Sequence, residues 1–333
     1  MIISKTPFRM SFFGGGTDLK EYFENYGGAV ISSTFDKYCY VTVRHLPRFF
    51  DYKNQLTYSI IERVSNPEEL QHPMVREAMK MLDMHELSIA YDADLPARTG
   101  LGTSSSFAVG LLNAFYALKG KYADKKKLAT QAIYLERELC KEDGGWQDQI
   151  AAAYGGMNYI EFKGNSFEVR PLIIHPERKK ELNENLMMFF TGFSHISAEI
   201  QTEIKQNIKN KLAQLDEMKE LVGKAKAILE DAHSDLNEFG KMLDYTWKLK
   251  RQTGKGISTG TIDEMYERAI QAGALGGKLL GAGGGGFLLF YVEKEKREAV
   301  KKALENLLLI PFNFENTGTE IIYYSPEQYP QIY

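Results

Sequence analysis

Cysteine is nearly absent from this sequence, in which Cys39 and Cys140 are the only two among 333 residues. Neither belongs to a C-x-x-C pair, and neither has histidines at the spacing typical of zinc ligands. The sequence therefore predicts neither a disulfide framework nor a cysteine zinc site. Two isolated thiols suit a reducing compartment, and we expect the protein to be cytoplasmic.

Long apolar runs and a large excess of one charge are also missing. No stretch approaches the roughly 18 consecutive apolar residues of a membrane-spanning helix, and the opening MIISKTPFRM has no basic region followed by an apolar one. The formal net charge is -3 at pH 7. These features argue against membrane and nucleic-acid partners and leave a small-molecule partner open.

The order of helix and strand patterns indicates an α+β protein of two domains. The first half begins with a strand pattern at residues 1–13 and alternates strand patterns with glycine turns and with helix patterns at residues 66–84 and 125–140. Between these two, the loop within residues 95–115 opens a third helix pattern that reaches about residue 119. Long charged helical patterns follow at residues 198–251. A chain of this length favours two domains. We predict an N-terminal domain at residues 1–185 and a C-terminal domain at residues 186–333, the latter with a helical hairpin and a small antiparallel sheet.

The most informative stretch is LPARTGLGTSSSFAVGLLNAF, residues 95–115, in which glycines and four hydroxyl residues lead into an apolar helix pattern. Glycine lets backbone N–H groups approach a ligand, and the free N–H groups of a helix N-terminus attract an anion such as phosphate. A hydroxyl there can also bind the Mg²⁺ that accompanies a nucleotide triphosphate. The simpler alternative is a serine or threonine that caps a core helix.

Neither common nucleotide-binding motif explains this loop. The sequence has no G-x-x-x-x-G-K-[ST]. A formal G-x-G-x-x-G at Gly281, Gly283 and Gly286 follows a helix pattern and precedes a strand, which is the reverse of its order in a dinucleotide-binding fold. The sequence therefore argues against a dehydrogenase.

Three glycine-rich stretches, TPFRMSFFGGGTD, PARTGLGTSSS and GAGGGG, are similar in order and separation to the motifs of the GHMP small-molecule kinases, the family of galactokinase, homoserine kinase and mevalonate kinase. Together they span residues 7–286. The resemblance implies a GHMP kinase fold with a ribosomal protein S5 domain 2-like N-terminal domain and a ferredoxin-like C-terminal domain. It also implies ATP and Mg²⁺ as cofactors and an active site between the domains.

The resemblance assigns the nucleotide and metal site to the central motif. Ser104 would contact Mg²⁺ together with Glu136, although Glu138 and Glu142 lie close in sequence and any of the three glutamates could be an ordinary surface carboxylate. Ser104 could instead cap its helix. The residues expected to surround the ATP phosphates are Gly100, Leu101, Gly102, Thr103, Ser104 and Ser105.

The resemblance also implies two catalytic residues. Asp148 would accept the proton of the attacking hydroxyl, with Asp143 as its nearest rival. Arg9 would lie beside it and offset charge on the transferred phosphoryl group. Each has a plain alternative, a helix cap for Asp148 and an ordinary salt bridge for Arg9.

The N-terminal motif and part of the third motif are expected to bind the acceptor. Gly15 and Gly16 stand where galactokinase carries a Glu-His pair, so galactose is a poor expectation. The motif most resembles the branch that phosphorylates C1 of D-glycero-D-manno-heptose 7-phosphate on the way to nucleotide-activated heptose. The expected acceptor-binding residues are Gly14, Gly15, Gly16, Thr17, Asp18, Gly283 and Gly284.

A phosphorylated sugar requires cations, which Lys5 or the cluster of Arg44, His45 and Arg48 could supply. Two other functions stay open: a kinase for another sugar such as L-fucose, and a non-catalytic sensor derived from a kinase that binds sugar and nucleotide. The combination of Asp148 with the other expected site residues favours an enzyme. The sequence indicates neither the oligomeric state nor the residues that contact adenine.

Overall fold

The computed structural model describes residues 1–192, 202, 205 and 207–326, and within these ranges the chain forms two sheets. The strands are β1 Ile2–Phe13, β2 Gly28–His45, β3 Asn54–Thr57, β4 Ile61–Val64, β5 Leu87–Ala93, β6 Met157–Lys163, β7 Ser166–Pro171, β8 Leu186–Phe190, β9 Gly276–Leu279, β10 Phe287–Tyr291, β11 Leu308–Ile310, β12 Phe314–Glu315 and β13 Glu320–Tyr324. The α-helices are α1 Lys20–Tyr26, α2 Pro73–Met81, α3 Thr103–Leu118, α4 Lys125–Tyr134, α5 Gln147–Tyr154, α6 Pro176–Asn185, α7 Leu212–Glu230, α8 Asn237–Arg251, α9 Gly260–Gln271 and α10 Arg297–Ala303.

The first sheet is built around the long strand β2. Its order is β13-β1-β2-β5-β3-β4, and β2 also pairs with β6 at residues 28–33 and with β12. Only the β3–β5 pair among the described strands is parallel. Helix α3 is apolar on all sides and buried in the core formed by this sheet and helices α2, α4 and α5. This core therefore fixes the position at which α3 begins.

The second sheet has the ferredoxin-like arrangement. Its strands follow the order β11-β8-β10-β9, all pairs are antiparallel, and the chain runs strand, helices, strand, strand, helix, strand. Strands β8 and β10, with the sequences LMMFF and FLLFY, are almost continuously apolar because both faces of the sheet are buried. One face packs on β1, α7 and α8, and the other on α9 and α10. The ferredoxin-like arrangement expected for the C-terminal half is therefore present.

The last two strands return to the first sheet. Strand β13 pairs with β1, and β12 pairs with β2. The predicted division after residue 185 coincides with the start of β8 on the second sheet, but the residues after 313 complete the first sheet. We retain the two-domain division as a proposal, with this crossing added.

Two predicted helices differ from the structure. The pattern at residues 66–84 is divided into a 3₁₀ turn, Pro67–Glu69, and helix α2, because Pro73 has no N–H to continue a helix across it. The helix predicted at residues 125–140 ends as α4 at Tyr134 and continues as a π-helical segment, Leu135–Leu139. Much of the first part of the pattern at residues 198–251 lies outside the described residues. Among those described, no helix is both long and apolar enough to cross a bilayer.

Candidate active site

A cavity of about 860 Å³ lies between the two parts of the molecule. Its wall is formed by β1 and the turn after it, by the start of α3, and by the loop that precedes α5. Lys250 of α8 and Lys278 of β9 complete the wall from the C-terminal half. The three glycine-rich stretches meet at this cavity, which the sequence alone could not establish.

The central glycine loop occupies the position expected for a phosphate cradle. Gly100 and Gly102 have φ of 80° and 71°, in the left-handed region that glycine adopts without strain, and Gly102 immediately precedes α3. Thr103, Ser104 and Ser105 line the cavity with these glycines. Leu101 differs from the expectation, because its side chain is fully buried away from the cavity and its carbonyl accepts the backbone N–H of Arg9 at 3.1 Å.

The third glycine-rich stretch supports the central loop from behind. A Cβ atom at Gly281 would lie 2.3 Å from the Cα of Gly100, so the two backbones are in direct contact. Gly281 and Ala282 line the cavity. The expectation that Gly283 and Gly284 bind substrate is not met, because both lie outside the cavity wall. Their backbone packs against Ile257, whose carbonyl accepts the N–H of Gly284 at 3.0 Å.

Arg9 and Asp148 form a two-pronged ion pair in the cavity wall. Nε of Arg9 donates to Oδ1 of Asp148 at 2.8 Å, and Nη2 donates to Oδ2 at 2.7 Å. The remaining Nη1 donates to the carbonyl of Gly100 at 2.7 Å. Because guanidinium and carboxylate are planar, this pair fixes the orientation of the carboxylate. The carboxylate lies next to the central glycine loop at residues 100–102, which we call the phosphate loop. Asp148 lies in the first turn of α5.

Asp143, the rival of Asp148, also lines the cavity but has other partners. Its carboxylate accepts from Oγ1 of Thr202 at 2.6 Å and from Nζ of Lys205 at 3.1 Å. These hydrogen bonds, that of Thr202 first, lower the pKa of Asp143. Arg137 donates to three carbonyls of the surrounding loop, at residues 142, 143 and 145, and so orders the approach to α5.

Glu136 is buried beneath the phosphate loop. Its carboxylate accepts from Oγ of Ser104 at 3.0 Å, from Oγ of Ser105 at 2.7 Å and from Nε2 of Gln149. It is 1% exposed, and no described cation forms an ion pair with it. The π-helical segment gives this residue its position, and such segments are frequent at functional sites.

These groups fit the requirements of Mg²⁺. The ion prefers hard oxygen ligands and is held in kinases by one or two carboxylates or hydroxyls together with nucleotide phosphates and water. Ser104 and Glu136 supply such oxygens, and a buried carboxylate without a counter-charge favours a cation. No cluster of three or more histidine, cysteine or acidic side chains occurs within the described ranges, so an all-protein metal cage is absent there.

The turn after β1 combines a structural and a ligand-facing role. Gly14 and Thr17 do not reach the cavity: a Cβ at Gly14 would lie 1.9 Å from the carbonyl of Ala29, and the Thr17 hydroxyl is bonded to two carbonyls. Gly15, Gly16 and Asp18 line it. Asp18 accepts the backbone N–H of Gly16 at 2.9 Å. Burial, and then the nearby charge of Asp148, raise the pKa of Asp18.

Two polar side chains beside the turn after β1 have free hydrogen-bonding capacity and were not predicted from the sequence. We call this part of the cavity the acceptor end. Oγ of Ser11 and Oε1 of Gln147 are buried and have no hydrogen-bond partner among the described residues. Both residues line the cavity, and both side chains lie 3.9 Å from where a Cβ of Gly15 would stand. A glycine at position 15 therefore leaves room for a ligand that could satisfy these groups.

Two buried lysines were also missed as site residues. Lys250 Nζ donates to the carbonyl of Gly281, and Lys278 Nζ donates to the carbonyl of Phe12 at 2.9 Å. Burial, and then the charge of Arg9, lower the pKa of Lys250 to about 8. Burial likewise lowers the pKa of Lys278 well below its usual value. These lysines line the cavity, whereas the cluster predicted from the sequence does not.

The predicted cations lie elsewhere. Lys5, Arg44, His45 and Arg48 are not part of the cavity wall. Lys5 faces the ring of Tyr38, and Arg48 forms a surface ion pair with Glu86. Their positions therefore do not support the hypothesis that they bind a substrate phosphate in this cavity.

The opposite end of the cavity is aromatic. The rings of His72 and Tyr91 each contact Phe107 edge to face, with centroids 5.5 and 4.7 Å away, and Tyr58 contacts His72. Nδ1 of His72 is buried without a hydrogen-bond partner in the described part of the chain. A planar base with one polar edge would suit this end. No spacing in the sequence brings these residues together, because they come from four separate elements.

This constellation, a glycine cradle at a helix N-terminus beside an ion-paired aspartate and a buried glutamate, defines a phosphotransferase. Two family models match the chain: GHMP kinases N terminal domain at residues 71–156, and GHMP kinases C terminal at residues 224–308. The chain belongs to the GHMP kinase family. It is accordingly an enzyme, an ATP-dependent kinase with an alcohol acceptor.

Similar proteins include several sugar kinases. A D-glycero-alpha-D-manno-heptose 7-phosphate kinase of Campylobacter jejuni is 29% identical over 96% of this chain and 98% of its own length. An L-fucokinase/L-fucose-1-P guanylyltransferase of Bacteroides fragilis is 29% identical over 63% of this chain, which corresponds to 22% of that longer protein.

The solved structures agree in fold. A D-glycero-D-manno-heptose 1-phosphate kinase from Bacteroides thetaiotaomicron has a TM-score of 0.80 at 25% identity, with 98% of this chain and all of that chain covered. A galactokinase of Lactococcus lactis, solved with galactose, has a TM-score of 0.73 at 17% identity over 96% of this chain and 94% of that chain. The latter likeness concerns the fold alone.

Proposed function

We propose that this kinase is a sugar kinase that transfers the γ-phosphoryl group of ATP to the C1 hydroxyl of D-glycero-D-manno-heptose 7-phosphate, giving the 1,7-bisphosphate in nucleotide-heptose biosynthesis. The observation that carries the reaction type is the Arg9–Asp148 pair, set against the phosphate loop in a cavity large enough for two substrates. Similarity to heptose phosphate kinases along nearly the whole chain supports the choice of sugar.

The nucleotide is proposed to lie between the aromatic end and the glycine loop. The base would stack among Tyr58, Tyr91 and Phe107, and Nδ1 of His72 would face its polar edge. The phosphates would accept backbone N–H groups at the start of α3. This order brings the γ-phosphoryl group toward Asp148, with the base and the phosphates each next to groups that suit them.

Ser104 and Glu136 are proposed to hold Mg²⁺ on the nucleotide phosphates. Bound there, the ion would neutralise charge that develops during transfer. Glu136 holds Ser104 and Ser105 in place through its two oxygens, so the same carboxylate also positions the loop hydroxyls.

Asp148 is proposed as the catalytic base. Its carboxylate accepts the proton of the C1 hydroxyl while the oxygen forms a bond to the γ-phosphorus and the bond from that phosphorus to ADP breaks. Arg9 fixes the carboxylate and places a positive charge beside the transferred group. Little covalent chemistry is required of the protein, so orientation is its main contribution.

The acceptor is proposed to occupy the end that contains Asp18, Ser11 and Gln147. A sugar ring offers several hydroxyls, each able to donate and accept, and these would satisfy the free Oγ of Ser11 and Oε1 of Gln147. Gly15 keeps this end open. These contacts suit a polar, hydroxyl-rich acceptor.

The experiment that tests this proposal is ADP release by the purified protein with ATP and Mg²⁺. The acceptors to compare are D-glycero-D-manno-heptose 7-phosphate, the unphosphorylated heptose, L-fucose, mannose and galactose. We expect kcat/KM to be at least about 100-fold higher for the 7-phosphate, because loss of a charged contact costs about that factor. A higher kcat/KM for L-fucose would replace the substrate and keep the kinase, and ATP binding without turnover of any sugar would favour the sensor.

A further inference from the structure

The two buried lysines of the cavity carry an inference that rests on the proposed function. Lys250 and Lys278 are 7% and 2% exposed, and both line the cavity. Each ammonium has three N–H donors, yet the only hydrogen bond of each that the described residues provide is to a backbone carbonyl. Neither forms an ion pair with a carboxylate of the described chain.

The surrounding carboxylates compensate the charge of these lysines only in part. The groups that face them are Arg9 from β1, Asp18 from the turn after β1 and Asp148 from α5. Arg9 and Asp148 are bonded to each other, and Asp18 accepts backbone N–H groups of residues 16 and 147. With all groups ionised, three cations therefore stand against two carboxylates.

A buried ammonium without an ion-pair partner costs free energy, and an anionic ligand reduces that cost. The lowered pKa of Lys250, about 8, reflects this burial. An anion in the cavity would receive the unused N–H donors of both lysines and favour their charged forms. The feature thus points to a ligand and not to an internal salt bridge.

The location of Lys278 indicates which ligand carries the anion. Its ammonium is bonded to Phe12, two residues before the turn that contributes Gly15, Gly16 and Asp18 to the acceptor end. The hydroxyls of the nucleotide end are instead bonded to Glu136. We propose that Lys278, with Lys250 beside it, binds a phosphate group carried by the acceptor and so selects a phosphorylated sugar.

The γ-phosphoryl group of ATP is the alternative anion for these lysines. Kinetics with two acceptors distinguish it from a phosphate group on the acceptor. We would measure kcat/KM for D-glycero-D-manno-heptose 7-phosphate and for the same heptose without phosphate, at saturating ATP, in the wild type and in Lys278→Met. The proposal predicts a fall of at least about 100-fold for the 7-phosphate, mainly through KM, and a much smaller fall for the free heptose. Equal losses in kcat for both would overturn it.

Lys248→Met is the matched control. Lys248 lies on the same helix as Lys250 but is exposed and paired with Asp244, so this variant should keep the wild-type kinetics with both acceptors. Thermal melting of each variant shows whether it is folded. Lys250→Met should change the acceptor preference in the same direction as Lys278→Met.

A binding measurement without ATP separates this inference from the proposed substrate. Calorimetric titration of the wild type and Lys278→Met with heptose 7-phosphate, and separately with inorganic phosphate, should give at least about 30-fold weaker binding in the variant. If the wild type turns over L-fucose instead of the heptose, the substrate proposal fails, and weaker inorganic phosphate binding by the variant still supports the lysine site. Equal phosphate binding by both proteins overturns the inference.

Discussion

Asp148 is the residue whose contacts most directly support its proposed role, that of the catalytic base. Both of its oxygens are engaged by Arg9, yet its side chain remains 24% exposed toward the cavity. A Cβ at Gly102 would lie 3.3 Å from Oδ2, so the carboxylate lies directly against the phosphate loop. A group held so close to the expected path of the γ-phosphoryl transfer can act without a conformational change of its own.

At the residue scale we therefore expect Asp148→Asn to lower kcat by at least about 100-fold, because the amide has the shape of the carboxylate but does not accept a proton. ATP affinity should stay within about threefold of the wild type. Single-turnover phosphoryl transfer and ATP titration measure the two quantities separately.

Asp143→Asn is the parallel variant for the rival base. Asp143 is bonded to Thr202 and Lys205, away from Arg9, and its substitution should cost less kcat than that of Asp148. A larger loss in Asp143→Asn would transfer the role of base to Asp143.

Residues within motifs were predictable, and residues placed by tertiary packing were not. Arg9, Asp148 and Glu136 were named from the sequence, and the structure brings all three to one cavity. Lys250 belongs to an otherwise ordinary helix pattern, yet it follows Leu243 and Trp247 on the buried face of α8. A lysine at an apolar position of an amphipathic helix was a usable signal.

At the element scale, the contact between the central and third glycine stretches is a second place where a small substitution should affect ATP use. Gly281 has φ of 79°, and any side chain there would meet the backbone of Gly100. The phosphate loop can therefore keep its shape only while position 281 has no Cβ.

Gly281→Ala should lower kcat/KM for ATP at least about tenfold and reduce the melting temperature. Gly256→Ala is the matched control, because Gly256 has φ of 76° with no atom within 4 Å of the added Cβ. Both variants bear the left-handed strain of about 1–2 kcal/mol, but only the first displaces the loop. Equal kinetics in the two variants would show that the backbone contact has no role in ATP use.

Among the elements, long regular patterns were predicted well and local irregularities were not. Strand β1 matches the pattern expected at residues 1–13, and helix α3 ends at Leu118, next to the expected end at residue 119. The π-helical segment that carries Glu136 was not predicted, because the sequence continues with helical periodicity through it. Strand β9 was also missed, since Gly276 and Gly277 hide its pattern within a glycine cluster.

At the scale of the whole molecule, the buried lysines predict how stability depends on pH. The pKa of Lys250 is about 8 in the folded protein, below the value of about 10.4 for a free lysine side chain. Below pH 8 both states carry the proton, and the folded state bears the cost of a buried charge. Between these pKa values the unfolded chain binds a proton that the folded chain lacks, so this lysine's contribution to the free energy of unfolding rises with pH.

Lys250→Met should therefore be more stable than the wild type at pH 7, by at most roughly 3 kcal/mol, and the difference should shrink by pH 9.5. Chemical denaturation of the ligand-free proteins at both pH values measures it. The exposed Lys248→Met should show no such trend. A pH-independent difference for Lys250→Met would mean that Lys250 does not titrate in this range.

The division into two parts was predictable from the order of elements, but the return of the last two described strands to the first sheet was not. Strands β12 and β13 are short and follow the second sheet directly, so nothing in their sequence indicates that they pair with β1 and β2. Pairing between strands so far apart in sequence depends on the assembled sheet, and local sequence patterns do not predict it.

This return also fixes the order in which the protein can be completed during synthesis. Strand β1 is synthesised shortly before β2, but its other edge waits for β13, whose residues 320–324 are made about 310 residues later. At roughly 5–20 residues per second, that edge stays open for tens of seconds. An open strand edge can pair with other chains, so until β13 is made the nascent protein has an aggregation-prone edge on the strand that carries Arg9. Strand β13 thus both closes this edge of the sheet and protects the strand on which Arg9 lies.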